Sequence, residues 1–114
     1  MKVADYIADF LARNELVSHD IFLVSGGGNM HLLNSIGTHP LLRYYCNHHE
    51  QACTMAAEGH ARVSNQVGVA LVTTGPGGTN AITGVMGAWV DSIPLMILSG
   101  QVKLSTTITN SPEL

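Results

Sequence analysis

An α/β domain, with a parallel sheet flanked by helices on both faces, is the fold this sequence predicts. Helical and strand-like patterns alternate along the chain. The strand-like runs are short and almost wholly apolar, as strands covered on both faces are. No hairpin turn joins one to the next, so each return is a βαβ crossover.

Val3, Ile7 and Leu11, with Ala4 and Ala8 beside them, recur at helical spacing and predict an amphipathic helix to about Glu15 or Leu16. Ile21-Phe22-Leu23-Val24 predicts a buried strand, ended by Ser25-Gly26-Gly27-Gly28-Asn29. A short helix over Met30 to Ile36 follows and is stopped at His39-Pro40, because the residue before proline disfavours the α region. Leu41 to Cys46 predicts a second buried strand, and the segment from Glu50 to about Val63 a helix. After a turn at Ser64-Asn65-Gln66, Val67 to Thr73 is the clearest strand, β-branched and apolar. Thr74-Gly75-Pro76-Gly77-Gly78-Thr79-Asn80 reads as a turn before a helix over Ala81 to Val90. Pro94 to Leu98 is the fourth strand, and beyond Val102 the pattern gives way to Ser/Thr-rich sequence. With so few strands, the domain reads as truncated before its last elements.

Hydrophobic residues make up 46% of the chain, enough for a core, but only 11% are charged, well under the roughly 25% of ordinary domains. Such a surface predicts cover from a partner or from more of the same polypeptide. A formal net charge of −3 without a basic run argues against nucleic acid and against an anionic membrane surface. No apolar run approaches the ~20 residues of a membrane span. Two cysteines, Cys46 and Cys53, and no apolar leader at Met1 to Tyr6 predict a reducing, cytoplasmic setting.

The chemistry-bearing residues gather where predicted strands end. Gly26-Gly27-Gly28 and Gly75-Pro76-Gly77-Gly78 each follow a strand and precede a helix, where glycine lets a ligand approach backbone N–H groups. Either loop alone reads as a tight turn as readily as a ligand loop. Two on one sheet edge, flanking Glu50, point to a crevice. A glutamate at a helix start is commonly a solvated charge that complements the dipole. Apolar neighbours make Glu50 instead a carboxylate costly to leave charged and unpaired, and a candidate proton-transfer group. Cys46, His48, His49, Glu50 and Cys53 are also possible metal ligands, but they straddle a strand end without the paired spacing of structural zinc sites, and no metal is assigned here. His31 and His39 read as surface residues. Ala81, Gly84 and Ala88, with Gly87, form a helix face of small side chains. It serves either internal packing or, more sharply, a helix-to-helix subunit interface.

Taken in order, Ser25-Gly26-Gly27-Gly28-Asn29-Met30, His49-Glu50-Gln51, Gly59-His60-Ala61-Arg62, Thr74-Gly75-Pro76-Gly77-Gly78-Thr79-Asn80, Asp91-Ser92-Ile93-Pro94 and Gly100-Gln101-Val102 resemble the N-terminal pyrimidine-binding domain of thiamine-diphosphate enzymes. Within that superfamily they are most similar to the acetolactate synthase group. The resemblance covers the chain to about Val102, and takes 1–114 as one incomplete domain of the thiamine-diphosphate-binding fold. It implies that Glu50 is catalytic, hydrogen-bonding the pyrimidine nitrogen N1′ and activating the cofactor. It further implies that Gly26, Gly27, Gly75, Pro76, Gly77 and Asn80 border thiamine diphosphate, and that Gln101 lies on the substrate side. The reaction implied is decarboxylation and carboligation of 2-oxo acids, by a transferase or lyase.

Mg²⁺ and the diphosphate are held in that family by a Gly-Asp-Gly motif on a separate domain, which this chain lacks. A second subunit completes the site, so a homodimer or homotetramer is implied, and the chain alone is expected to be inactive. Four departures stand out: His48 for arginine, His60 for an aromatic residue, Ser25 for proline, and no Phe-Gln pair in Lys103 to Glu113. They leave room for a related decarboxylase or lyase, and for a non-catalytic oligomerising module on the same fold.

Overall fold

The computed structural model describes residues 1–110, so the end of the polar tail, from Ser111, lies outside the described residues. The elements are α1 (Val3–Arg13), β1 (Val17–Leu23), a 3₁₀ turn at Gly27–Asn29, α2 (Met30–Thr38), β2 (Arg43–Cys46), α3 (Glu50–Ser64), β3 (Val67–Val72), α4 (Pro76–Val90), β4 (Leu95–Ser99) and a 3₁₀ turn at Leu104–Thr106. The strands form one parallel sheet in the order β2-β1-β3-β4. Leu11, Ile21, Ile36, Val69 and Leu71 pack α1 and α2 on one face. Cys53, Ala57, Ala70, Val72 and Ala81 pack α3 and α4 on the other. This is the predicted fold class, and the alternation of elements produced it.

Side chains decide the close contacts between layers. A Cβ at Gly68 of β3 would overlap the Ala57 carbonyl of α3, and one at Gly84 of α4 would overlap Thr54 Oγ1 of α3. The small-residue stripe is therefore spent inside the molecule: Gly77, Ala81, Gly84 and Ala88 are the buried face of α4, lying against α3. The subunit-interface reading of that stripe is corrected. Arg62 of α3 bonds both Glu58 and Asp91, and so ties the end of α4 to its neighbour.

Several boundaries differ from expectation. The helix α1 ends at Arg13 because Asn14 is extended and its Oδ1 accepts from Leu16 N at 3.1 Å. Its buried face is Ala4, Ala8, Leu11 and Ala12, with Val3 exposed. The strand β1 begins at Val17 rather than Ile21, carrying polar Ser18, His19 and Asp20 into the sheet. A register irregularity between Val17 and Ile21 accommodates them, and buried Ser18 Oγ accepts from Asp20 N at 2.9 Å. The sequence predicts a buried β2, but all four of its residues are exposed because, among the described residues, it is an edge strand paired with β1 alone. His39 was expected at the surface; its imidazole is largely covered and pairs with Asp9 Oδ1 at 3.2 Å.

The largest difference is α4, which starts at Pro76 rather than Ala81. Gly75 stands before it at φ 60°, and Pro76 takes the first helical turn, where its missing N–H costs nothing. The glycines that read as a loop are the helix's first turn.

Candidate functional site

The connections to either side of the β1/β3 boundary run in opposite directions. From β1 the chain passes to α2 on one face; from β3 it passes to α4 on the other. Adjacent parallel strands whose connections diverge leave a crevice beyond their carboxyl ends. The Gly26–Gly28 and Thr73–Gly75 segments form its rims. The turn after β4 joins them: a Cβ at Gly100 would overlap the Gly28 carbonyl, so only glycine fits there.

Glu50 is half-buried at the first position of α3. The preceding residue, His49, caps the helix, its Nδ1 accepting from Gln51 N at 3.1 Å. Asn80 on α4 donates through Nδ2 to Glu50 Oε2 at 3.0 Å. Glu50 Oε1 lies 3.6 Å from where a Cβ on Gly77 would stand. The Asn80 amide, with Glu50's own backbone N–H and the nearby His49, holds the Glu50 carboxyl below its ordinary pKa against a smaller opposing effect of burial. The sequence makes Glu50 costly to leave charged and unpaired, and Asn80 is the partner that offsets this cost. Glu50 is ionised and hydrogen-bonded, because α4 begins early enough to bring Asn80 to it.

Thr73, which the sequence pattern absorbed into the third strand, is the hub of the crevice. Its Oγ1 accepts from Gly28 N at 3.1 Å. A Cβ on Gly26 would come within 2.5 Å of Thr73 Cβ, and one on Gly77 within 2.7 Å of Thr73 Cγ2. Gly26 and Gly77 are thus small because Thr73 fills the space between the loops. A threonine directly after an apolar strand and before a glycine turn was the available signal. Gly27 and Gly75 differ, since a Cβ on either meets nothing within 4 Å. Gly75 needs glycine for its positive φ; Gly27 has neither reason, and its lack of a side chain keeps the cleft open. Pro76 is exposed beside them. Gln101 Oε1 accepts from Thr74 Oγ1 at 3.0 Å and from Val102 N at 2.9 Å, pinning the chain after β4 to the β3–α4 turn.

The possible metal ligands separate: Cys46 is exposed on β2, Cys53 is buried beneath α3, and His49 Nδ1 is used by the cap. Among the described residues no three His, Cys, Asp or Glu side chains converge. A second cleft of ≈740 Å³, along α1 between Tyr6, Phe10 and Leu16, lies toward the opposite edge of the sheet and holds none of the predicted site residues. No helix among the described residues is long and apolar enough to cross a membrane.

Comparison with known proteins agrees with this architecture. Residues 1–113 match the family model described as thiamine pyrophosphate enzyme, N-terminal TPP binding domain. An acetolactate synthase large subunit of Buchnera aphidicola subsp. Schizaphis graminum is 44% identical over 92 residues, which is 81% of this chain and 16% of that protein. Acetolactate synthase isozyme 3 large subunit of Escherichia coli K12 is 46% identical over 85 residues, 75% of this chain and 15% of that protein. Chloroplastic acetolactate synthase 1 of Zea mays is 36% identical over 101 residues, 89% of this chain and 16% of that protein. The chain therefore spans about one-sixth of the length of these relatives.

Proposed function

The chain belongs to the family of N-terminal TPP-binding domains of thiamine pyrophosphate enzymes, and from that membership we propose that it supplies the pyrimidine side of a thiamine-diphosphate site in an acetolactate synthase-like enzyme acting on 2-oxo acids. The observation that carries this reading is the 3.0 Å hydrogen bond from Asn80 to Glu50 at the rim of the crevice. An ionised carboxylate fixed on one oxygen is a fitting acceptor for a protonated ring nitrogen, which is the role proposed for Glu50 at the pyrimidine N1′.

The residues present fit such a cofactor. Gly27 and Gly75 leave unfilled space, Gly26 and Gly77 bring backbone close to Thr73, and Gly77 also adjoins Glu50. When bound, thiamine diphosphate supplies the electron sink for decarboxylating a 2-oxo acid. This chain's own contribution is to hold a proton between Glu50 and N1′, to keep Glu50 ionised through Asn80, and to border the reacting region with the Gly26–Gly28 loop and Gln101. Diphosphate and Mg²⁺ are assigned to a Gly-Asp-Gly-bearing domain outside these residues. A second copy, in a homodimer or homotetramer, is proposed to complete the site. In support, Ile82, Met86 and Trp89 of α4 are 60%, 58% and 79% exposed on its outer face, which internal packing leaves bare.

A related lyase or decarboxylase is the second reading, favoured by Lys103 and its polar successors where the synthases carry a Phe-Gln segment. Glu50→Gln in the full-length protein tests the cofactor role. Turnover with thiamine diphosphate is expected to fall by about 10²- to 10⁴-fold, the usual contribution of a positioned proton-transfer group. Unchanged turnover would refute the cofactor role of Glu50, whereas absence of thiamine-dependent turnover in the full-length parent would favour a non-catalytic module. The 114-residue chain alone is expected to show no thiamine-dependent turnover.

A further inference from the structure

On the far side of Thr73 from Glu50 the crevice opens into a cleft of ≈740 Å³ lined by Gly27, Gly28, His31, Thr73, Gln101 and Lys103, among others. No carboxylate among the described residues lines it, although acidic residues outnumber Lys and Arg in the chain by 8 to 5. Among the described residues each of Arg13, Arg43 and Arg62 has a carboxylate partner, whereas no carboxylate pairs with Lys103.

The backbone of Lys103 is nonetheless fixed. Its carbonyl accepts from Thr106 N at 2.9 Å and from Thr106 Oγ1 at 2.8 Å. Two residues earlier, Gln101 is tied to Thr74 at 3.0 Å. An ammonium with no carboxylate partner among the described residues, carried on a fixed backbone at a cleft it shares with an imidazole, is a site for an anion. Thr73 lines this cleft and also packs against Gly77, the glycine beside Glu50 Oε1, so an anion held here would sit next to the proposed cofactor site and apart from Glu50 itself.

We infer that Lys103, assisted by His31, binds the carboxylate of the 2-oxo acid and so sets which substrate the enzyme takes. This rests on the thiamine-diphosphate reading above. It adds that substrate recognition is carried partly by this chain, at a position where the sequence departs from the synthase pattern.

The test uses the full-length protein with Lys103→Met and Lys103→Arg. The Lys103 side chain is exposed and only its backbone is engaged, so both variants are expected to melt as the parent does. Oxamate, an unreactive isostere of pyruvate, is titrated calorimetrically into cofactor-free protein, with inorganic phosphate as competitor, and KM and kcat are measured with pyruvate in the holoenzyme. Loss of one charge-assisted hydrogen bond should weaken oxamate roughly 10- to 100-fold in Lys103→Met. KM should rise in parallel, kcat should change less, and Lys103→Arg should restore most of the binding. Absent oxamate binding in the parent, equal binding in Lys103→Met, or equal displacement by phosphate would each overturn the assignment. The two readings separate cleanly. If Glu50→Gln abolishes turnover while Lys103→Met binds normally, only the Lys103 role falls. If Glu50→Gln is silent while Lys103→Met loses oxamate, the anion site stands without thiamine chemistry.

Discussion

Asn80 Nδ2 and Glu50 Oε2 are 3.0 Å apart, joining the first turn of α3 to the first turns of α4 across the mouth of the crevice. The bond favours the ionised form of Glu50, whose folded-state pKa is lowered chiefly by it. Asn80→Ala should therefore raise the Glu50 pKa, as followed by carboxyl ¹³C NMR titration. In the full-length enzyme it should also cut turnover, by less than Glu50→Gln does. An unmoved Glu50 titration would mean that the amide is not what holds the carboxylate.

Neighbouring glycines should behave differently. A Cβ at Gly26 runs into Thr73, whereas one at Gly27 meets nothing. Gly26→Ala should cost about 1–3 kcal/mol of stability, and Gly27→Ala no more than about 0.5 kcal/mol. Cofactor- or substrate-dependent activity should nonetheless drop in Gly27→Ala, since its side chain occupies space the structure leaves empty. Denaturation midpoints and KM values, measured on the same preparations, separate the two effects. Comparable destabilisation by both would show that Gly27 is packed after all.

Gly84 and Thr54 form the closest approach of α4 to α3. Gly84→Ala should destabilise by about 1–3 kcal/mol through overpacking. Thr54→Ala should relieve part of that cost in the double variant, giving a favourable coupling in a thermodynamic cycle. Additive losses would place the strain elsewhere.

Asp20 accepts from Arg43 Nε at 2.6 Å and Nη2 at 2.8 Å, and from Tyr45 Oη at 3.1 Å. The Arg43 bonds lead the causes that lower its pKa from the ordinary 3.8. A depressed carboxyl stabilises the fold fully above its unfolded value, and that stability is lost as pH falls through the folded value. The acid limb of stability should thus steepen below about pH 4. Asp20→Asn should flatten it and cost about 1–2 kcal/mol at neutral pH, modest because Arg43 is solvent-exposed. Urea midpoints from pH 2 to 6 would reveal whether this pair matters.

Of the two cysteines, Cys46 is exposed and Cys53 is buried. Burial pushes the Cys53 thiol up to about 12, with Glu50 adding a smaller push in the same direction. At pH 8 a disulfide-exchange reagent should label Cys46 rapidly and Cys53 only after unfolding. Fast labelling of both in the native protein would mean that α3 opens from the sheet.

The sequence by itself determined the α/β class, the strands that run through the core and the crevice-edge position of Glu50. Each follows from a local pattern: apolar runs, helical spacing, or a glycine turn between a strand and a helix. Polar Ser18, His19 and Asp20 hid the start of β1, because a strand irregularity that satisfies polar groups leaves no apolar period. Gly75 to Gly78 hid the start of α4, because glycine favours turns locally while the close approach of Thr73 requires a small residue at Gly77 in the helix. Only the tertiary structure decided the exposure of β2, the spending of the Gly84 stripe on α3, the role of Thr73 between the loops, and the charge state of Glu50. These depend on neighbours distant in the chain, Asn80 lying thirty residues from Glu50, and no local pattern encodes which distant group will arrive.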